Sequence, residues 1–112
     1  MELKVYQNVY KLVAKDYRNE EVGSKEDRMR ILVADDHDFV RETIAMFLQN
    51  EGMSDVVTVE SLDAGLDAVA ETGNFDLVLL DYDMPGMNGI SGLERMRDAN
   101  DGRPVAILSG TA

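Results

Sequence analysis

Cysteine is absent from the 112 residues of this chain. Its absence excludes disulfide bonds, zinc sites built from thiolates and a cysteine nucleophile, and it agrees with a cytoplasmic location. Basic residues are also scarce, because 11 lysines and arginines stand against 22 aspartates and glutamates, giving a formal net charge of -11. No basic stripe is available to bind nucleic acid or an anionic membrane directly, so a basic protein surface is the better-matched partner.

Long hydrophobic runs are missing as well. No apolar stretch approaches the roughly 20 residues of a membrane-spanning helix, and the N-terminus lacks the apolar core of a signal peptide. A chain of 112 residues can build one hydrophobic core but not two. The composition therefore predicts a single cytoplasmic domain with an appendage.

The appendage is the N-terminal segment. Apolar residues recur there at alternating spacings of three and four, which predicts an amphipathic helix from Leu3 to Tyr17. Residues 19–28 are charged and contain Gly-Ser, which is typical of a linker. The helix either packs on its own domain or mediates self-association, and the pattern favours neither. The predicted division is 1–28 for helix and linker and 29–112 for the domain.

From Met29 onward, short apolar runs alternate with amphipathic segments in the order βαβαβαβ. This alternation is typical of an α/β fold with a parallel sheet and helices on both faces. The predicted strands are Arg30–Ala34, Val56–Val59, Leu77–Leu80 and Pro104–Ser109. The predicted helices are Asp38–Glu51, a segment capped by Ser61 and ended by Gly73, and a third beginning at Ile90.

Apolar spacing also predicts which helix residues face the sheet. Each predicted stripe follows a helical period. The inward residues are Val40, Ile44, Phe47 and Leu48 on the first helix, Leu62, Leu66, Val69 and Ala70 on the second, and Ile90, Leu93 and Met96 on the third.

Asp81 follows the most apolar of the predicted strands. Four large apolar residues bounded by aspartates are typical of a central strand of a parallel sheet. Ligands of open α/β sheets bind beyond the carboxyl ends of the strands, so Asp81 is placed where chemistry occurs. Pro85 and Gly86 turn the chain, and Gly89 permits entry into the next helix. We therefore expect Asp81 to be an exposed and rigidly held acid.

Other polar side chains follow neighbouring strands. Asp35 and Asp36 come directly after the first strand, and Ser109 ends the fourth. Carboxylates brought together at one sheet edge repel each other unless a cation lies between them, and oxygen ligands suit a hard divalent cation such as Mg²⁺. Any one of these residues could be an ordinary solvated acid in a surface loop, but that interpretation explains poorly why all three carboxylates fall at the ends of predicted strands.

His37 is the only histidine and adjoins the acidic pair. We interpret it as a solvated loop residue beside negative charge, because hard cations prefer oxygen ligands. It therefore stays outside the predicted metal site.

Three motifs make residues 30–112 similar to the receiver domain of two-component response regulators. They are Ile31-Leu32-Val33-Ala34-Asp35-Asp36, Leu79-Leu80-Asp81-Tyr82-Asp83-Met84-Pro85-Gly86-Met87-Asn88-Gly89 and Pro104-Val105-Ala106-Ile107-Leu108-Ser109. The resemblance implies a flavodoxin-like, doubly wound parallel sheet with the strand order 2-1-3-4. It also implies a signalling domain and not an enzyme, which receives a phosphoryl group from a sensor histidine kinase or a phosphotransfer protein.

The same resemblance implies roles for the candidate site residues. Asp81 would accept the phosphoryl group, and Ser109 would be the switch hydroxyl. Mg²⁺ would be held by Asp36, Asp81 and the backbone carbonyl of Asp83, with Asp35 assisting from behind these ligands. The Asp-Asp-His and Met-Pro-Gly sequences resemble receivers that precede helix-turn-helix domains, which implies regulation of transcription.

Receivers continue beyond the fourth strand with a fifth strand, a lysine that contacts the phosphoryl oxygens, and a final helix. The fifth strand, its lysine and the last two helices have no counterpart in these 112 residues, so the resemblance predicts an incomplete sheet, an exposed fourth strand and slow or absent phosphorylation by small donors. The N-terminal helix is the candidate to cover the open side, in its own chain or in a second copy. We predict a homodimer formed through this helix or through the exposed sheet edge.

Two alternative functions stay open on the sequence. The first is a pseudo-receiver that binds proteins or dimerises without being phosphorylated. The second is a phosphatase of the haloacid dehalogenase type, because Asp81-Tyr82-Asp83 resembles that family's nucleophile motif, whose second aspartate acts as a general acid. The motif here lies on the third strand and follows an acidic pair that such phosphatases do not require, so the receiver is favoured.

Overall fold

The computed structural model describes residues 29–108. The predicted helix and linker in residues 1–28 lie outside the described residues, as does Ser109, so the domain division and the homodimer stay predictions. The strands are β1 Arg30–Ala34, β2 Asp55–Val59, β3 Leu77–Asp81 and β4 Val105–Leu108. The helices are α1 Asp38–Asn50, α2 Leu62–Thr72 and α3 Ile90–Ala99. None of these helices combines the length and the apolar character needed to cross a membrane.

All four strands are parallel and form one sheet in the order β2-β1-β3-β4. This order confirms the predicted α/β fold of the flavodoxin-like type. Ala34 at the end of β1 lies beside Val59 on one side and Leu80 on the other, and Asp81 lies beside Leu108. The carboxyl ends of all four strands therefore meet at one edge, and the strand order reverses between β1 and β3, which is where ligands bind in such sheets.

The sheet is buried on both faces by helices. Successive residues of a strand point to opposite faces, so Ile31 of β1 packs in the same cluster as Ile44 of α1, and Leu32 packs with Leu62 of α2 and Met96 of α3. All five residues of β3 are buried. The prediction that Leu77–Leu80 forms a central strand is confirmed.

Three residues predicted to face the sheet are exposed, namely Phe47, Ala70 and Ile90. The buried stripe of α1 contains Arg41, and that of α2 contains Gly65. Neither residue gives an apolar signal. The other predicted residues of both stripes are buried or pack partly buried against the core, so the phase of each helix is confirmed and only the edge of each stripe is wrong. Ile90 is 62% exposed because it is the first residue of α3, whose buried residues begin at Gly92.

Candidate functional site

The loop after β1 carries two aspartates in different environments. Asp35 is buried, and its backbone N–H donates to the carbonyl of Val59 over 3.1 Å. Its Oδ1 accepts the backbone N–H of His37 at 2.8 Å, which holds the loop in a tight turn. Asp36 is exposed. One carboxylate is therefore anchored in the sheet edge and the next faces solvent.

Arg41 on α1 holds this loop in place through hydrogen bonds. Its side chain is buried, and its Nη1 donates to the backbone carbonyl of Asp35 at 2.8 Å. Its Nη2 donates to Oδ1 of Asp38 at 2.6 Å. The sequence interpretation missed this residue, although an arginine within the apolar stripe of a helix that follows an acidic loop is a signal for such a contact.

Asp81 is the last residue of β3 and is only 6% exposed. The expectation of an exposed acid is wrong, because pairing with β4 continues past it: the N–H of Tyr82 donates to the carbonyl of Leu108 at 3.0 Å. Oδ1 of Asp81 accepts the N–H of Asp83 at 3.1 Å. Oδ2 is the one buried side-chain nitrogen or oxygen within residues 29–108 that has no hydrogen-bond partner.

Burial of the carboxyl group raises the pKa of Asp81 to about 6, against the opposing hydrogen bond from Asp83. The negative charge of Asp35 raises this pKa further. An ionised Asp81 therefore lacks the solvation that a carboxylate needs, and a cation near Oδ2 would stabilise its negative charge instead.

The structure brings Asp35, Asp36 and Asp81 together, as expected for strand ends at one edge. Their carboxylates and the ring of His37 offer ligand atoms that all lie within 4.8 Å of one another. Several carboxylate oxygens, one of them buried and without a partner, fit the ligand preference of a hard divalent cation such as Mg²⁺.

His37 is the residue of the cluster that the sequence interpretation left out. Its side chain is 66% exposed, as expected of a loop residue, but its Nδ1 lies 3.0 Å from Asp35 Oδ1 and 3.1 Å from Asp36 Oδ1. The hydrogen bond to Asp35 and the charge of Asp36 raise the pKa of His37 above its ordinary value. Its position directly after the acidic pair was the available signal.

The other predicted residues lie differently. Asp83 is exposed, and its carboxylate does not belong to the acidic cluster found within residues 29–108. Its contact with Asp81 runs through the backbone N–H. Ser109 lies outside the described residues, directly after Leu108, the neighbour of Asp81 in the sheet.

The loop between Asp81 and α3 is held by close packing. Met87 is buried, and Gly92 in the first turn of α3 lies directly against it. A methyl group on Gly92 would lie 2.6 Å from the carbonyl oxygen of Met87 and 2.6 Å from its sulfur. The backbone at Met87 therefore packs against α3 at a distance that only a glycine at position 92 allows.

We expect Gly92→Ala to lower the free energy of unfolding by about 1–3 kcal/mol, because the added methyl group pushes against the backbone of Met87. This loss is expected although alanine is the better helix former by about 1 kcal/mol. Gly65→Ala in α2 is the matched control, since its methyl group would meet the flexible end of Met96 at 3.1 Å. Urea denaturation of both variants measures the difference, and equal stability of the two would contradict the packing argument.

Comparison with known proteins identifies the family of this chain. The sequence profile of the response regulator receiver domain matches residues 31–112. The chain is 39% identical to the glycerol metabolism activator of Pseudomonas putida over 82 residues, covering 71% of this chain and 37% of that protein. It is 36% identical to the cell cycle transcriptional regulator CtrA of Caulobacter vibrioides over 84 residues, covering 75% of this chain and 36% of that one.

The chain thus spans little more than a third of the length of these relatives. Among solved structures, the receiver domain of the Francisella response regulator 1452 superposes with a TM-score of 0.60 at 31% identity, covering 75% of this chain and 68% of that domain. Fold, sequence profile and relatives agree. The chain belongs to the receiver domain family of two-component response regulators.

Proposed function

We propose that this receiver domain works in the cytoplasm and accepts one phosphoryl group on Asp81 from a sensor histidine kinase or a phosphotransfer protein. In this proposal Mg²⁺ is held by Asp36, Asp81 and the backbone carbonyl of Asp83. The observation that carries it is the buried Oδ2 of Asp81, which has no hydrogen-bond partner within the described residues and lies in a cluster of carboxylates. CtrA is a transcriptional regulator, and we propose transcription as the output here as well.

Asp81 supplies the nucleophile. One of its carboxylate oxygens bonds to phosphorus while the bond from phosphorus to the imidazole nitrogen of the donor breaks, and that nitrogen keeps the electron pair and takes up a proton. The hydrogen bond from Asp83 N–H fixes the orientation of the carboxylate in advance. Mg²⁺, when bound, offsets the negative charge of the carboxylates and the phosphoryl oxygens.

The neighbouring residues position this nucleophile. Arg41 donates a hydrogen bond to the carbonyl of Asp35, which restrains the turn that carries both upstream aspartates. Asp35 stays behind the ligands and keeps the site negative enough to attract a divalent cation. Ser109 is the proposed switch hydroxyl, which would bond to the phosphoryl group once it is in place.

The test is prolonged incubation of the full chain with phosphoramidate, whose P–N bond resembles that of phosphohistidine, followed by intact mass spectrometry. We expect slow labelling that reaches at most one phosphoryl group per chain, only with Mg²⁺, and none on Asp81→Asn. Asp83→Asn is the matched control and should still be labelled, because its proposed contacts run through the backbone. Multiple turnover of a phosphomonoester would instead support the phosphatase, and no labelling would support the pseudo-receiver.

A further inference from the structure

The ring of His37 lies at a position that suits a metal ligand. Two neighbouring ligands bound at about 2.1 Å to one ion are about 3.0 Å apart in an octahedral site and about 3.4 Å apart in a tetrahedral one. Nδ1 of His37 lies 3.0 Å from Asp35 Oδ1, 3.1 Å from Asp36 Oδ1 and 3.5 Å from Asp81 Oδ2. The first of these contacts is a hydrogen bond in the metal-free structure, and all three separations also match those between ligands that share an ion.

A second observation points to a ligand at the same place. Asp81 is 6% exposed, and its Oδ2, which has no hydrogen-bond partner, is the atom that faces Nδ1 of His37. All four ligand atoms lie within 4.8 Å of one another, whereas opposite ligands of a six-coordinate ion are about 4.2 Å apart. Shifts of a few tenths of an ångström would therefore close the four groups around one ion.

We propose that His37 is a metal ligand and that this cluster holds a first-row transition cation such as Zn²⁺ more tightly than Mg²⁺. Imidazole nitrogen suits Zn²⁺, whereas Mg²⁺ takes oxygen and keeps its waters. The ring is two-thirds exposed, so solvent fills the remaining coordination positions. The inference concerns the carboxylates of the proposed function but does not need phosphoryl transfer.

Calorimetric titration of the full chain with ZnCl₂ and with MgCl₂ tests the ligand set. In His37→Gln the affinity for Zn²⁺ should fall at least about tenfold. Removal of a residue that only hydrogen-bonds to a metal ligand already costs about that much, and removal of a ligand itself should cost more. The affinity for Mg²⁺ should change by less than about twofold, because oxygen ligands hold that ion. Asp81→Asn should lower the affinity for both metals. An equal effect of His37→Gln on both metals, or none on Zn²⁺, would overturn the proposal.

The unmutated protein gives an independent readout. His37 is the only histidine, so the two ring nitrogens are assigned without ambiguity in a long-range proton–nitrogen NMR spectrum. Zn²⁺ should shift Nδ1 and leave Nε2 nearly unchanged, and a shift confined to Nε2 or absent from both would refute ligation. If Mg²⁺ does not bind, the proposed function fails while the Zn²⁺ result still stands or falls by itself.

Discussion

In metal-free buffer at about pH 8, Asp81→Asn is expected to be more stable than the unmutated protein by about 2–3 kcal/mol. Burial raises the pKa of Asp81 from 3.8 to about 6, so the folded protein binds this proton more tightly than the unfolded chain does. The stability that the proton provides is fully present below the unfolded value and is lost as the pH rises through about 6. Asparagine keeps the acceptor for Asp83 N–H and carries no charge at any pH.

Urea denaturation with a chelator present checks this result at about pH 4 and about pH 8. The gap between variant and unmutated protein should shrink towards zero at the lower pH, where Asp81 is protonated. Asp83→Asn is the control and should show little gap at either pH, since Asp83 is exposed. An Asp81→Asn variant that is less stable at about pH 8 would contradict the account. Added Mg²⁺ is expected to stabilise the unmutated protein more than Asp81→Asn, because the variant lacks one of the proposed ligands.

Asn100→Ala is expected to lower the free energy of unfolding by about 2–5 kcal/mol, because two buried backbone groups lose their partners. Asn100 is fully buried at the end of α3. Its Oδ1 accepts the N–H of Phe75 at 2.8 Å, and its Nδ2 donates to the carbonyl of Phe75 at 2.9 Å. No residue with a shorter apolar side chain can replace both contacts.

The control for this loss is Asn50→Ala. Asn50 is the exposed last residue of α1, so its truncation should change stability by less than about 0.5 kcal/mol. Thermal or urea unfolding of both variants gives the comparison. If the two truncations cost the same, Phe75 does not depend on Asn100 for its hydrogen bonds.

Strand identity could be predicted from the sequence because β3 is apolar at four consecutive positions and acids mark its ends. The meeting of Asp35, Asp36 and Asp81 followed from the rule that parallel strands end at one edge. The strand order itself came from the family resemblance, since alternation of strands and helices does not determine which strands are neighbours. The edges of the buried helix stripes were less predictable than their centres, because Arg41 lies in the buried stripe of α1.

Two features of the site depended on tertiary structure alone. The burial of Asp81 results from its pairing beside Leu108, which is distant in the sequence. The contacts of His37 depend on a turn that folds its ring back over Asp35. The sequence contains three acids and a nearby histidine, but the burial of one acid and the position of the histidine among all three arise only in the folded chain.

The most direct measurement is to locate the phosphoryl group. After prolonged incubation with phosphoramidate and Mg²⁺, treatment with borohydride reduces an aspartyl phosphate to homoserine, and peptide mass mapping identifies the converted residue. We expect conversion at Asp81 and at no other acid, with none when Mg²⁺ is replaced by a chelator. Conversion at Asp35, Asp36 or Asp83, or labelling that leaves Asp81 unchanged, would contradict this expectation.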